Sequence, residues 1–354
     1  MSNLIWYVVL AVAGGFLLQK LRVPGGMMVG AALACGIANI SIGLGSIPAL
    51  IKILAQVLSG IYIGISVDSD ELKSIKEIIK PFGIIMAGML ITNLLSGFVV
   101  YLLSPLDAIT SFLAVTPGGV NNMPLIAADM GADPAMVAVF QCLRMIIGVG
   151  VFPGIIKTLA KKHDDQKNKS VKNESAAPTT EKEKTTIKGL LELLVAGLLA
   201  AFAGWLGTLI GFPSAYLVFC MLASIAAKVI RTSLRSPASL RMIAQLLSGI
   251  YIGNAFTKEV LASSRYLLLP IVLMMVLYAL NCFISGWLVN KKNYFGYAES
   301  LLASSPAGAS DMALLAADMG IQNSHLNFIH VLRLLIVVAF FPFLLQWLIT
   351  LLSL

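Results

Sequence analysis

The hexapeptide Ser59-Gly60-Ile61-Tyr62-Ile63-Gly64 recurs as Ser248-Gly249-Ile250-Tyr251-Ile252-Gly253, 189 residues later. The same offset carries Pro24 onto Pro213, Pro81 onto Pro270, Pro117 onto Pro306, Arg144 onto Arg333 and Pro153 onto Pro342. It also carries Ala127-Ala128-Asp129-Met130-Gly131 onto Ala316-Ala317-Asp318-Met319-Gly320. One apolar unit is therefore written twice, with no net insertion between the anchor points. A repeated membrane unit with paired breaks at matching places is the sequence signature of a transporter core.

The 354 residues are 58% hydrophobic and 12% charged, with a mean hydropathy of +0.90. A soluble domain is about one quarter charged, so there is too little polar surface here to cover a water-soluble globule. Continuous apolar runs of about 17–25 residues recur, the length that crosses a hydrocarbon core as helix. Continuous rather than alternating runs favour helices over strands. The expected fold is an all-α polytopic membrane protein. Spans are expected near Leu4–Leu18, Gly25–Ile42, Pro48–Ser66, Pro81–Leu103 and Pro134–Leu159, with copies near Leu193–Thr208, Pro213–Val229, Ser239–Ala255, Pro270–Val289 and Asn323–Leu348. Residues 1–160 form the first repeat, 161–188 a disordered basic linker, and 189–354 the second repeat.

Between the last two spans of each repeat lies a different object, Asp107–Met130 and Gly296–Met319. Each reads as two short apolar arms of about ten residues joined at a Pro/Gly tip, long enough for half the membrane. The tips are Thr116-Pro117-Gly118-Gly119 and Ser305-Pro306-Ala307-Gly308. Such an element either crosses fully or turns back, and the positive-inside rule favours the turn. With the N-terminus outside, a re-entrant hairpin keeps Lys20, Arg22, the linker, and Lys228 to Arg241 on the cytoplasmic side. Five spans plus one hairpin per repeat then makes the two repeats inverted, with opposed tips meeting near the midplane. The net charge of +8 reads as orienting charge rather than a nucleic-acid footprint.

Broken backbone survives in a membrane only when buried in protein or lining a wet cavity. The tips are thus candidate binding elements, together with the polar residues that follow them, Asn121 and Asn122 in one and Ser310 and Asp311 in the other. Arg144 and Arg333 each lie about 15 Å into their last span. An intramembrane arginine is either a counter-charge for an anionic substrate or half of a structural ion pair, here with Asp129 or Asp318. Gln56, Ser59 and Tyr62, copied as Gln245, Ser248 and Tyr251, make a polar stripe that lines a pathway or bonds neighbouring helices. Gly60, Gly64, Gly249 and Gly253 indicate close helix approach. Asp311, and Glu299 in the first arm of the same hairpin, are candidates for Na⁺ or proton binding. The four cysteines and three histidines form no metal-ligand or redox spacing, so no metal and no cofactor is expected.

The tip motifs, the Ala-Ala-Asp-Met-Gly that follows each, and the duplicated Ser-Gly-Ile-Tyr-Ile-Gly resemble the AbrB family of bacterial membrane proteins, built from a duplicated hydrophobic domain. The resemblance covers nearly everything outside the linker. It implies a fold related to cation/proton antiporters and anion transporters with inverted repeats, a multi-pass location in the bacterial cytoplasmic (inner) membrane, and, by fold analogy, a homodimer. In the first copy Asn122 precedes Met123 where the resemblance implies an acid in many relatives. Some relatives carry the label ammonia monooxygenase, for which this sequence offers no metal-ligand cluster; others are described as regulators of gene expression, yet no DNA-binding module is visible. The expected activity is secondary transport of a small, anionic organic solute by alternating access, coupled to H⁺ or Na⁺ and not enzymatic. The partners are then the solute, a coupling cation and the lipid bilayer, without nucleic acid. The alternative is a membrane sensor that affects gene expression indirectly.

Overall fold

A computed structural model describes residues 2–21, 23, 25–67, 75–167, 187–231, 234, 237–306, 321 and 324–352. Among the described residues every regular element is helical. The first repeat supplies α1 (Ser2–Lys20), α2 (Gly26–Ile42), α3 (Leu50–Ile65), α4 (Ile75–Leu103), α5 (Ala108–Val115), α6 (Met123–Asp129) and α7 (Pro134–Lys167). The second supplies α8 (Ile187–Leu209), α9 (Ala215–Ile230), α10 (Ala238–Ala255), α11 (Lys258–Ser263) with a 3₁₀ turn Ser264–Leu267, α12 (Leu268–Lys291), α13 (Tyr297–Ser304) and α14 (Ser324–Leu352). Each expected span has a helix at its place. Four helical stretches are long and apolar enough to cross a membrane: Ile75–Leu103, Glu192–Leu209, Leu268–Lys291 and Phe328–Leu351. Their outward faces carry large apolar side chains, among them Ile91, Leu198, Val276 and Trp347, which places hydrocarbon rather than water around them. The chain is a helical membrane protein.

The helices sort into two bundles. α1, α2 and α3 pack with α8, α9 and α10; α4 to α7 pack with α12, α13 and α14. The bundles meet mainly where α10 lies along α6 and α7.

Glycine sets the first bundle. A Cβ on Gly64 would stand 2.6 Å from the Cβ of Ser224 on α9, and one on Gly253 would stand 2.7 Å from the Ala32 carbonyl on α2. Backbones therefore touch at α3–α9 and at the matching α10–α2 crossing, as small residues allow in a membrane. The glycines of the repeated hexapeptide are accounted for by packing. The two copies of that hexapeptide also lie on helices that run antiparallel to each other. The Arg241 guanidinium near the start of α10 sits 5.7 Å from the centre of the Tyr62 ring near the end of α3. At the other end, Tyr251 of α10 lies within reach of the charges of Lys52 and Asp129.

The second bundle holds the first hairpin, α5 and α6, whose arms are shorter than expected. α5 has 8 residues and α6 has 7, about 12 Å and 10 Å of helix. Proline explains the stop. The residue before a proline is pushed out of the helical region, and Thr116 stands at φ −63°, ψ 128°. Ser305, before Pro306, stands at φ −64°, ψ 140°. Gly119 then takes φ +91°, a backbone that only glycine adopts without strain. Of the second hairpin, residues 307–320 lie outside the described residues, and with them Gly308, Ser310, Asp311 and Asp318. The linker also falls largely outside them, although α7 runs on as helix to Lys167.

Candidate functional site

A short helix that ends inside a buried core leaves its last carbonyls without backbone donors. In α5 those carbonyls are met by side chains. Gln141, from α7 and fully buried, donates through Nε2 to the carbonyls of Thr116 (2.7 Å), Ala114 (3.0 Å) and Leu113 (3.4 Å). One helical turn on, Arg144 donates through Nη2 to Gln141 Oε1 at 2.6 Å and through Nη1 to the Val115 carbonyl at 3.4 Å. Tyr278, from α12 of the second repeat, donates its hydroxyl to the same Val115 carbonyl at 2.7 Å. Asn93 of α4 donates to Thr116 Oγ1 at 2.8 Å, and that hydroxyl passes a bond to the Phe112 carbonyl at 2.7 Å. Past the bend, Asn122 Nδ2 makes a long bond of 3.4 Å to the Gly118 carbonyl. Gly118 lies against Val337 and Gly119 against Leu334, both on α14. The first tip is thus sealed by both repeats.

The second tip repeats the pattern as far as it is described. Arg333 donates through Nη1 to the Ser305 carbonyl at 2.6 Å, and Ser305 is the offset partner of Thr116. Arg333 is 4% exposed and Arg144 6%. The two guanidinium groups are close enough to act on each other, and Tyr278 stands within reach of both. Arginine does not lose its proton in proteins, so two positive charges, one from each repeat, sit together inside the bundle. Each lies at the carbonyl end of a half-helix, where the helix dipole is negative.

The alternative of an Arg144–Asp129 ion pair is not what forms. Asp129, at the foot of the hairpin, pairs with Lys52 of α3 at 2.7 Å and accepts a bond from Gln56 Nε2. Sequence proximity misleads here: α7 descends beside the hairpin, so its arginine reaches the tip while the aspartate stays at the base. The Lys52–Asp129 contact ties the first bundle to the second beside a cleft of about 500 Å³ lined by Gln56, Ser214, Tyr216 and Gln346 among others. Gln56 of the polar stripe faces that cleft, and Tyr62 stacks on Arg241. Glu299 caps its own helix, accepting from the Gly296 amide at 3.0 Å, and stands in the first turn of α13, away from the tip. Its counterpart Thr110 joins Asp107 and the Asp133 amide at the base of the first hairpin. Among the described residues no three His, Cys, Asp or Glu side chains gather as metal ligands.

A family model described as transition state regulatory protein AbrB matches residues 1–160 and, a second time, residues 149–349. The chain belongs to the AbrB family. The first match contains Thr116 and Arg144 and the second Ser305 and Arg333, so each contains one short-helix end and one buried arginine. The chain is 24% identical over 360 residues to the uncharacterized protein YhjN of Bacillus subtilis (strain 168), covering 96% of this chain and 91% of the relative. It is 27% identical over 255 residues to a protein of Escherichia coli (strain K12) with the provisional name regulator AbrB, covering 71% of this chain and 70% of the relative.

Proposed function

We propose that the protein is a secondary carrier for a small organic anion, working by alternating access in the bacterial cytoplasmic membrane. The observation that carries this reading is the pair Arg144 and Arg333. Both buried positive charges, one from each repeat, meet inside one bundle, and a carboxylate is the ligand class whose charge complements them. Each is held at a half-helix end whose carbonyls it helps to satisfy, so both are fixed in place before a ligand arrives. A carboxylate entering between them gains from both charges at once.

The two-bundle packing supports the mechanism. The first hairpin, α13 and the Arg-bearing helices share one bundle, and the glycine-locked helices form the other. In this reading the first acts as a moving core and the second as a scaffold. The antiparallel run of α3 and α10, equivalent helices of the two repeats, supports inverted repeats of five spans and one re-entrant hairpin. With the N-terminus outside and the linker in the cytoplasm, the cleft beside Lys52 and Asp129 opens outward. The driving ion is H⁺ or Na⁺, the reading assigns no catalysis, and a homodimer is the assembly it takes from fold analogy.

The test is uptake of carboxylates into proteoliposomes with and without ion gradients, after a screen for anions that stabilise the purified protein. Uptake that needs a gradient and falls at least tenfold in Arg144→Gln and Arg333→Gln is the expected result. The regulator name of the E. coli relative favours a second reading, a sensor without flux. A stabilising anion with no transport under any gradient would decide for the sensor.

A further inference from the structure

The second helix of each repeat starts from a matching turn: the 189-residue offset carries Pro24-Gly25-Gly26 onto Pro213-Ser214-Ala215. In both, the middle residue is left-handed, Gly25 at φ 62°, ψ 18° and Ser214 at φ 54°, ψ 35°. Glycine takes that backbone freely, whereas serine takes it against its Cβ. The second repeat thus carries a side chain where the first does without one. The hydroxyl does not cap its own helix. Ser214 is 3% exposed, and its Oγ completes no hydrogen bond. A buried hydroxyl left unpaired is destabilising, so its presence calls for a group that meets it.

The surroundings of the two turns differ in the same direction. In the first repeat the Gly26 amide donates to the Val23 carbonyl at 2.9 Å. A Cβ on Gly25 would stand 3.0 Å from the Met145 methyl, so apolar packing closes the start of α2. At the start of α9, the amides of Ala215 and Tyr216 meet no backbone acceptor among the described residues. Ser214, Ala215 and Tyr216 instead line the cleft of about 500 Å³, together with Lys52 and Gln56 of α3 and Asp129 of α6. The α9 helix has 16 residues, and its first amides carry the positive end of its dipole. The Lys52 ammonium has three donors and gives one to Asp129. The two Asp129 oxygens are engaged by Lys52 and Gln56. Donors are left over on this surface, and its one acid is already paired.

From this arrangement we infer that the start of α9 is a binding site for a small carboxylate without an ammonium group. The carboxylate accepts from the Ser214 hydroxyl and the first α9 amides, and the rest of the molecule lies in the cleft beside Lys52. The cleft volume is that of a small-molecule site. α9 belongs to one bundle and α6 to the other, so the ligand sits on the seam between them. This second site goes beyond the Arg144–Arg333 pair and does not depend on it.

The experiment measures binding of propanoate and succinate to the full chain in detergent by calorimetry. Alanine and aspartate, which add an ammonium group to the same skeletons, are titrated beside them. Each carboxylate is expected to bind about tenfold or more tightly than its ammonium-bearing twin, whose added charge finds no partner. Ser214→Gly is expected to weaken the carboxylates about tenfold or more, the effect of losing a hydrogen bond to a charged group. That variant installs the residue the first repeat uses at the same φ. Should it fail to fold, Gln346→Cys reads the cleft directly, since Gln346 is exposed on its wall. Reaction of that thiol with a small charged methanethiosulfonate is expected to slow in proportion to the succinate bound. Affinity unchanged in Ser214→Gly, a Gln346→Cys thiol that saturating succinate does not protect, or equal binding of the twins overturns the inference. So does the absence of binding by both carboxylates. A loss confined to Arg144→Gln overturns it as well and leaves the arginine reading standing alone.

Discussion

Replacing Gln141 by leucine isolates the polar cap on the broken helix. The volumes are close, so little cavity or overpacking energy is added. Two well-formed bonds to the carbonyls of Ala114 and Thr116 are lost, each about 0.6 kcal/mol on average in membrane proteins and up to about 1.7 kcal/mol. The bond accepted from Arg144 at 2.6 Å is lost too; hydrogen bonds to charged groups are worth about 1.5–3 kcal/mol. Together the loss is about 3 kcal/mol. Tyr278→Phe removes the hydroxyl that donates to the Val115 carbonyl and is expected to lose about 1 kcal/mol. Reversible unfolding by SDS in mixed micelles, followed by the fluorescence of the four tryptophans, measures both. A Gln141→Leu loss below about 0.5 kcal/mol, or one smaller than that of Tyr278→Phe, would refute the claim that this side chain closes the half-helix.

The glycine crossings predict a contrast: Gly249→Ala puts a Cβ 2.8 Å from the Met28 carbonyl and loses about 1–3 kcal/mol, whereas Gly83→Ala, with open space around it, changes stability by less than about 1 kcal/mol and in the favourable direction. The same unfolding assay reads both. The Lys52–Asp129 pair, with side chains 23% and 18% exposed, should show a coupling of about 0.2–1 kcal/mol in a double-mutant cycle with Lys52→Met and Asp129→Asn.

Much of the architecture could be read from the residues because duplication gave each signal twice. A single Thr-Pro-Gly-Gly marks any loop. Its twin at Ser305-Pro306 pointed to a built break, and both prolines force the same extended residue before them. The hexapeptide glycines were equally legible, since small residues in apolar runs have one common use. What stayed hidden was contact between distant elements. Nothing in the order of residues says that Lys52, 77 positions away, would take Asp129 from Arg144. Tyr278 also gave no sign, because its offset partner is Met89 and an isolated tyrosine in an apolar run is ordinary. Gln141 was within reach, since it stands a single turn before the buried arginine of its own helix.

The two bundles have a mechanical consequence. Backbone contact at the α3–α9 and α2–α10 crossings leaves no side-chain layer to slide, so the scaffold must move, if at all, as a block. The chain passes between bundles three times, after α3, between α7 and α8, and after α10. Any displacement of one bundle against the other has to be absorbed at those three tethers. In the carrier reading, stiffening the first and third of them would brake the proposed cycle while leaving Arg144 and Arg333 untouched.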